Sequence, residues 1–131
     1  MKFLFITLLL LFNNPLKHVH EPYRLALLEH NKTVIGKVKY IEESIDGDIH
    51  IRLMVSDKTT LIKNNFEQED SCLVLEIVCG CKSIFKICKN YVNEIQTPKI
   101  NDSIMVSGPF VFDKRHKINE IHPVLEIHKL N

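Results

Sequence analysis

Eight side chains of this 131-residue chain are of the types that bind divalent cations: Asp46, Asp48, His50, Glu76, Asp113, His116, Glu120 and His122. Imidazole and carboxylate donors suit zinc or another borderline metal. The candidate ligand set is His50, Glu76, Asp113, His116, Glu120 and His122, of which Glu120 and His122 alternate on one strand and share a face. Three of them converging make a site. Scattered, they are a solvated face with a structural hydrogen-bond network. His18, His20 and His128 lie toward the two ends and are left out of the set. The chain has no Ser-His-Asp order, Gly-rich phosphate loop or His-Glu-x-x-His motif, so no residue is assigned a catalytic role and an enzyme is not expected.

A second constellation is basic and aromatic. Lys37, Lys39, Tyr40 and Arg52 would make a face for single-stranded nucleic acid, where a strand's phosphates and bases need cations and rings together. Glu42, Glu43, Asp46 and Asp48 stand beside it and oppose a phosphate backbone. The net charge is +1 and Trp is absent. A nucleic-acid partner is therefore not expected, and the face is read as ordinary mixed surface.

The elements that must position these groups are strands. Thr33 to Ser44 alternates as a long strand, with Gly36 permitting curvature. Asp46-Gly47-Asp48 is a turn, and Ile49, Ile51 and Leu53 alternate with outward His50 and Arg52, which makes a hairpin. Cys72 to Cys79 is a third strand, with Leu73, Leu75 and Ile77 on one face and Glu76 on the outer one. Ser56 to Asp70 is a polar excursion before it. Ile84, Phe85, Ile87, Cys88 and Tyr91 approximate a short amphipathic helix over Ser83 to Val92. Pro98 and Asn101-Asp102 form a turn, and Ile104 to Phe112 is a fourth strand, bent at Gly108-Pro109. Asp113 to Lys117 is a charged turn and Ile118 to Ile127 the return strand.

Hairpin, third strand, short helix and two more strands is the order of an OB-fold. The expected class is therefore all-β, a five-stranded OB-like barrel with a short helix between strands 3 and 4. Residues 32–131 are its expected span, with 15–31 as linker and lead-in. Asn101 stands where such fourth strands carry Gly, and Asn tolerates the left-handed turn conformation.

Residues 1–14 differ from the rest. Lys2 precedes a pure apolar run, Phe3 to Phe12, which fits a signal peptide or an N-terminal membrane anchor. The run is shorter than the roughly 20 residues of a spanning helix. Membrane contact is expected only through this segment, if it is retained. Export suits the four cysteines, because oxidising compartments favour disulfides. Cys79 with Cys88 would staple a strand end to the segment that follows, and Cys72 with Cys81 stands open as a second bridge. Four cysteines allow three pairings. Four thiolates on zinc are the competing use, although Cys79-Gly80-Cys81 lacks the two-residue knuckle spacing.

Several motifs together resemble a group of small exported bacterial and archaeal proteins of uncharacterised function. They are Asp46-Gly47-Asp48-x-His50, Leu73-Val74-x-Glu76-Ile77-Val78-Cys79, Val106-x-Gly108-Pro109-x-Val111-x-Asp113-x-x-His116 and Glu120-Ile121-His122-Pro123-Val124. The resemblance covers roughly residues 22 to 128. It implies an OB-like barrel outside the cytoplasm with Cys79 paired to Cys88. The chain departs from the group at Asn31, where a Cys is expected, and at Ile118, where an aromatic is expected. Cys72 and Cys81 are additional. The group carries no activity to transfer. The chain thus reads as an exported, non-enzymatic OB-fold binding or accessory module whose ligand the sequence does not name. No cofactor is required. A zinc-type metal domain built on one barrel face is the alternative, and a single-strand nucleic-acid binder the third reading.

Overall fold

A computed structural model describes residues 14–83, 85–91 and 93–130. The apolar run at Phe3 to Phe12, read as a signal peptide or anchor, lies outside the described residues. Among those residues no helix is long and apolar enough to cross a membrane.

Six strands are described: β1 Leu25–Glu43, β2 Ile49–Val55, β3 Leu73–Ile77, β4 Ser103–Asp113, β5 Ile118–Ile121 and β6 Glu126–Lys129. They hydrogen-bond in the order β1-β2-β3-β5-β4-β6, and β1 also pairs with β4. The first five therefore close into a ring, the OB-like barrel expected, while β6 adds to the open side of β4. All pairings are antiparallel except β3 with β5. The return strand expected from Ile118 to Ile127 is two strands, β5 and β6, separated by the His122–Pro123 segment.

β1 is longer than the alternation alone suggests, starting at Leu25 rather than Thr33. Its first half pairs with β4 and its second with β2, and register shifts mark the bends. Gly36 is paired on both sides, with Val55 and Ile104. A Cβ there would meet the Met54 carbonyl oxygen at 2.4 Å, so only glycine lets β2 approach this closely. Asn101 adopts φ 75° in the turn before β4.

The inner core follows from the alternation. Val34, Val38, Ile51, Leu53, Leu75, Ile104, Val106 and Ile121 are buried inside the ring. A second apolar cluster lies on the outside. Val19 and Leu25 pack there with Val78 and Val111, joined by Leu16 and Tyr91. Residues from the lead-in thus draw part of the outer face of β3 and β4 out of water.

The helical content differs from expectation. Between β3 and β4 there is a single 3₁₀ turn, Lys86–Cys88, and the one α-helix among the described residues, α1 (Lys63–Gln68), lies between β2 and β3. The apolar spacing of residues 84–91 is helical. However, the Cys79–Cys88 bridge holds the two Cα atoms 5.3 Å apart, and Ser83 Oγ donates to the Asp46 carbonyl at 2.8 Å. Both fold the segment back over the β1–β2 turn, where local propensity gives way to tertiary constraint. In α1, Asn65 is fully buried, and its side-chain amide donates to the Cys72 and Asn119 carbonyls at 3.1 and 3.0 Å.

The second bridge left open by the sequence does not form: Cys72 and Cys81 are free thiols. They flank opposite ends of β3, whose extended residues rise about 3.3 Å each. That separation far exceeds the roughly 7 Å Cα limit for a disulfide. The Cys79–Cys88 disulfide suits an oxidising, extracytoplasmic environment.

Candidate metal centre

The Asp-Gly turn places Asp48 just before β2, and His50 follows it two residues on. His50 is the register partner of Glu76 on β3. Val74, two residues before Glu76, is paired in parallel with Glu120 on β5. His122 follows Glu120 at the same two-residue interval. Three adjacent strands therefore present Asp48, His50, Glu76, Glu120 and His122 on one outer face, because inward positions are taken by Ile49, Ile51, Leu75, Ile77 and Ile121.

That face is not solvated at this end. Asp48 is 3%, Glu76 5%, Glu120 1% and His122 0% exposed. Glu76 points away from the barrel interior, as the alternation predicts, yet it is buried rather than solvated. The outer cluster flanks it, with Val78 two residues along β3 and Val111 opposite Glu120.

Burial has an electrostatic consequence. It pushes the Glu76 carboxyl up to about 7, with Glu120 adding to the rise and His122 opposing it. Glu120 is pushed up to about 8, by burial first and the Asp113 charge second. Asp48 rises to about 6, again chiefly through burial, against a hydrogen bond from the Cys79 amide. The imidazole of His122 is lowered by burial, with the Glu76 charge working the other way. Glu76 and Glu120 therefore retain protons near neutrality.

Four polar atoms here are buried without a hydrogen-bond partner: Asp48 Oδ2, Glu76 Oε2, His50 Nε2 and His122 Nε2. Buried polar atoms of folded proteins are overwhelmingly satisfied, so these four mark the face as a candidate site. His122 Nε2 lies 3.3 Å from Glu76 Oε2, and His50 Nε2 lies 3.6 Å from the same oxygen. Neither contact is aligned as a hydrogen bond. Donors about 2.1 Å from a tetrahedral zinc ion stand about 3.4 Å from one another. Asp48, Glu76 and His122 offer donor atoms all within 4.8 Å of one another. The other nitrogen of His122, Nδ1, is 3.3 Å from Glu120 Oε1. A carboxylate behind a liganding imidazole holds the proton on Nδ1 and leaves the Nε2 lone pair for a cation.

The set read from sequence divides in two. His50, Glu76, Glu120 and His122 come together. Asp113 and His116 do not join them; they sit in the β4–β5 turn with Arg24. Arg24 Nη1 donates to Asp113 Oδ2 at 2.6 Å, and His116 Nδ1 lies 2.7 Å from the same oxygen. The Arg115 amide donates to Asp113 Oδ1 at 2.8 Å. Asp113 is thus fully engaged as a turn anchor. Asp48, one of the eight starting residues but outside the candidate ligand set, lies with Glu76 and His122; its place in a strong turn motif obscured that proximity. Arg24 was not read from sequence, since nothing local marks a lone Arg in the lead-in.

A cavity of about 140 Å³ reaches the cluster from the His50 side, lined also by Tyr40, Arg52, Glu69, Glu76 and Glu120. Lys37, Lys39 and Tyr40 are exposed on β1. Arg52 donates to Glu69 Oε2 at 2.9 Å and Asp70 Oδ2 at 3.4 Å, and lies over the Tyr40 ring. Two acids therefore take up the charge that a nucleic-acid strand would need.

No family model, curated protein or solved structure matches the chain.

Proposed function

We propose that this protein is a divalent-metal-binding module acting outside the cytoplasm, its ion held by Asp48, Glu76 and His122, with His50 as a fourth donor on the cavity side. The observation that carries the reading is the convergence of donor atoms of Asp48, Glu76 and His122, each of which has a buried atom without a hydrogen-bond partner. Two carboxylates and one or two imidazoles favour zinc or a neighbouring borderline ion over calcium, which prefers six or more oxygens. Glu120 supports the site from behind His122. The role is binding rather than catalysis.

The test is calorimetric titration of chelator-stripped protein with Zn(II), Mn(II) and Ca(II). One equivalent of Zn(II) is expected, with weaker Mn(II) and no Ca(II) binding. Glu76→Gln and Asp48→Asn should each abolish the saturable phase. Absence of binding, or binding untouched by Glu76→Gln, would sink the reading.

A further inference from the structure

The Asp46–Asp48 turn has a second neighbour besides Glu76 and His122. The Cys79 amide donates to Asp48 Oδ1 at 3.0 Å. Cys88 Sγ lies 3.7 Å from the Asp46 carbonyl oxygen. A Cβ on Gly47 would sit 3.2 Å from Cys88 Sγ. The disulfide is therefore packed directly on the turn that supplies Asp48. Donor atoms of Asp48, Cys79 and Cys88 lie within 4.8 Å of one another, as those of Asp48, Glu76 and His122 do. Asp48 belongs to both sets, and its Oδ2 is buried without a hydrogen-bond partner. Cys88 is half-buried, which gives a path from solvent.

We infer that reduction of the Cys79–Cys88 bridge creates a second, thiolate-rich metal site that shares Asp48 with the first, so that the oxidation state of this pair decides which class of cation the turn holds. Two molecules of a thiol reductant donate the two electrons and two protons, cleave the Sγ–Sγ bond and leave as their own disulfide. A divalent ion then displaces the thiol protons and is bound by two thiolates and one carboxylate oxygen. Soft donors select soft or borderline ions, such as Cd(II), Co(II) or Zn(II), over harder ones. The bound ion in turn withholds both sulfurs from reoxidation. Cys81, whose Sγ rests 3.8 Å from the Asp48 carbonyl oxygen, is a free thiol beside the pair. This inference shares Asp48 with the reading above but none of its other ligands.

Full-length protein is titrated with Co(II) in oxidised and reduced forms, the latter prepared anaerobically with a phosphine that is converted to its oxide by water oxygen and then removed. The reduced form should show a thiolate-to-cobalt charge-transfer band saturating at one equivalent, and the oxidised form none. Glu76→Gln, which removes the oxidised-state site, should keep the band, and in that background reduction should raise cobalt affinity about tenfold or more. Cys88→Ser should lose the band. Folding is followed by circular dichroism in every arm. The inference is overturned if folded reduced protein shows no band, if the band persists in Cys88→Ser, or if it vanishes in Glu76→Gln. A reduced chain that loses its structure and does not regain it on cobalt addition overturns it equally.

Discussion

Two buried carboxylate clusters lie on the same side of this barrel and behave in opposite ways. At the β4–β5 turn, burial disfavours the Asp113 charge. Hydrogen bonds from His116 and the Arg115 amide, with the Arg24 charge, nonetheless hold its carboxyl below the usual range. At the β2–β3–β5 face, Asp48, Glu76 and Glu120 are held above it, and four residues there, Asp48, His50, Glu76 and His122, each leave a buried atom without a hydrogen-bond partner. The residue types are alike. The difference is the cation: Arg24 donates directly to Asp113, whereas among the described residues Glu76 and Glu120 have only imidazoles within ion-pair reach; the proposed ion would supply the missing charge. A buried acid that is satisfied anchors a fold, whereas one that is not marks a site.

The largest effect should come from the satisfied cluster. Asp113→Ala leaves the nearly buried Arg24 without its partner and should cost about 3–5 kcal/mol in a denaturant titration. Its zinc affinity, measured on the folded fraction, should change far less than that of Asp48→Asn, because Asp113 acts on the other cluster only through its charge beside Glu120. A matching loss of affinity would erase the distinction between the clusters.

The pH profile sharpens it next. Glu76, about 7 when folded against an ordinary 4.5, binds a proton in the folded state that the unfolded chain has released. Glu120 and Asp48 act in the same direction. Their favourable contribution is complete below about pH 4 and is lost as pH rises through about 6 to 8. Metal-free protein should therefore be less stable at pH 8 than at pH 5, by on the order of 3 kcal/mol for Glu76 alone. Zinc competes with those protons, so at 100 times its dissociation constant it should restore about 2.7 kcal/mol at pH 8. Thermal melts at both pH values, with chelator and with zinc, check this.

Glu76→Gln should invert the behaviour of Asp113→Ala. It should stabilise the metal-free chain by about 1–3 kcal/mol at pH 8 while removing metal binding, because no charge then needs burying. Smaller again is Glu120→Gln, which should weaken zinc binding by about 10- to 100-fold through His122. The smallest effect is Arg52→Ala. Its pairs with Glu69 and Asp70 are partly solvated, and its loss should cost under about 1 kcal/mol with zinc affinity unchanged.

Much of the barrel was legible because strand alternation and turn chemistry are local. Asp46-Gly47-Asp48, Asn101-Asp102 and the inward rows Ile49-Ile51-Leu53 and Leu73-Leu75-Ile77 report their own geometry. The depth of Glu76 and His122 was not legible, since it depends on Val19 and Leu25, more than fifty residues upstream. Residues 84–91 have a helix's apolar spacing, but a covalent tie to Cys79 overrides it. The ligand set was half visible for the same reason. Glu120 and His122 declare a shared face, whereas only the closed ring shows that Asp113 and His116 turn away toward Arg24.

The parallel seam between β3 and β5 rests on two register pairs, Val74 with Glu120 and Leu75 with Ile121. It is the shortest ladder in the ring, with the fewest register pairs to hold it closed. Asp48 and Glu76 stand on one side of that join and His122 on the other. An ion gripped by all three is a latch across it. Amides of residues 74–76 and 120–122 should then exchange with deuterium far more slowly once the latch is set, while those of β1 keep their pace.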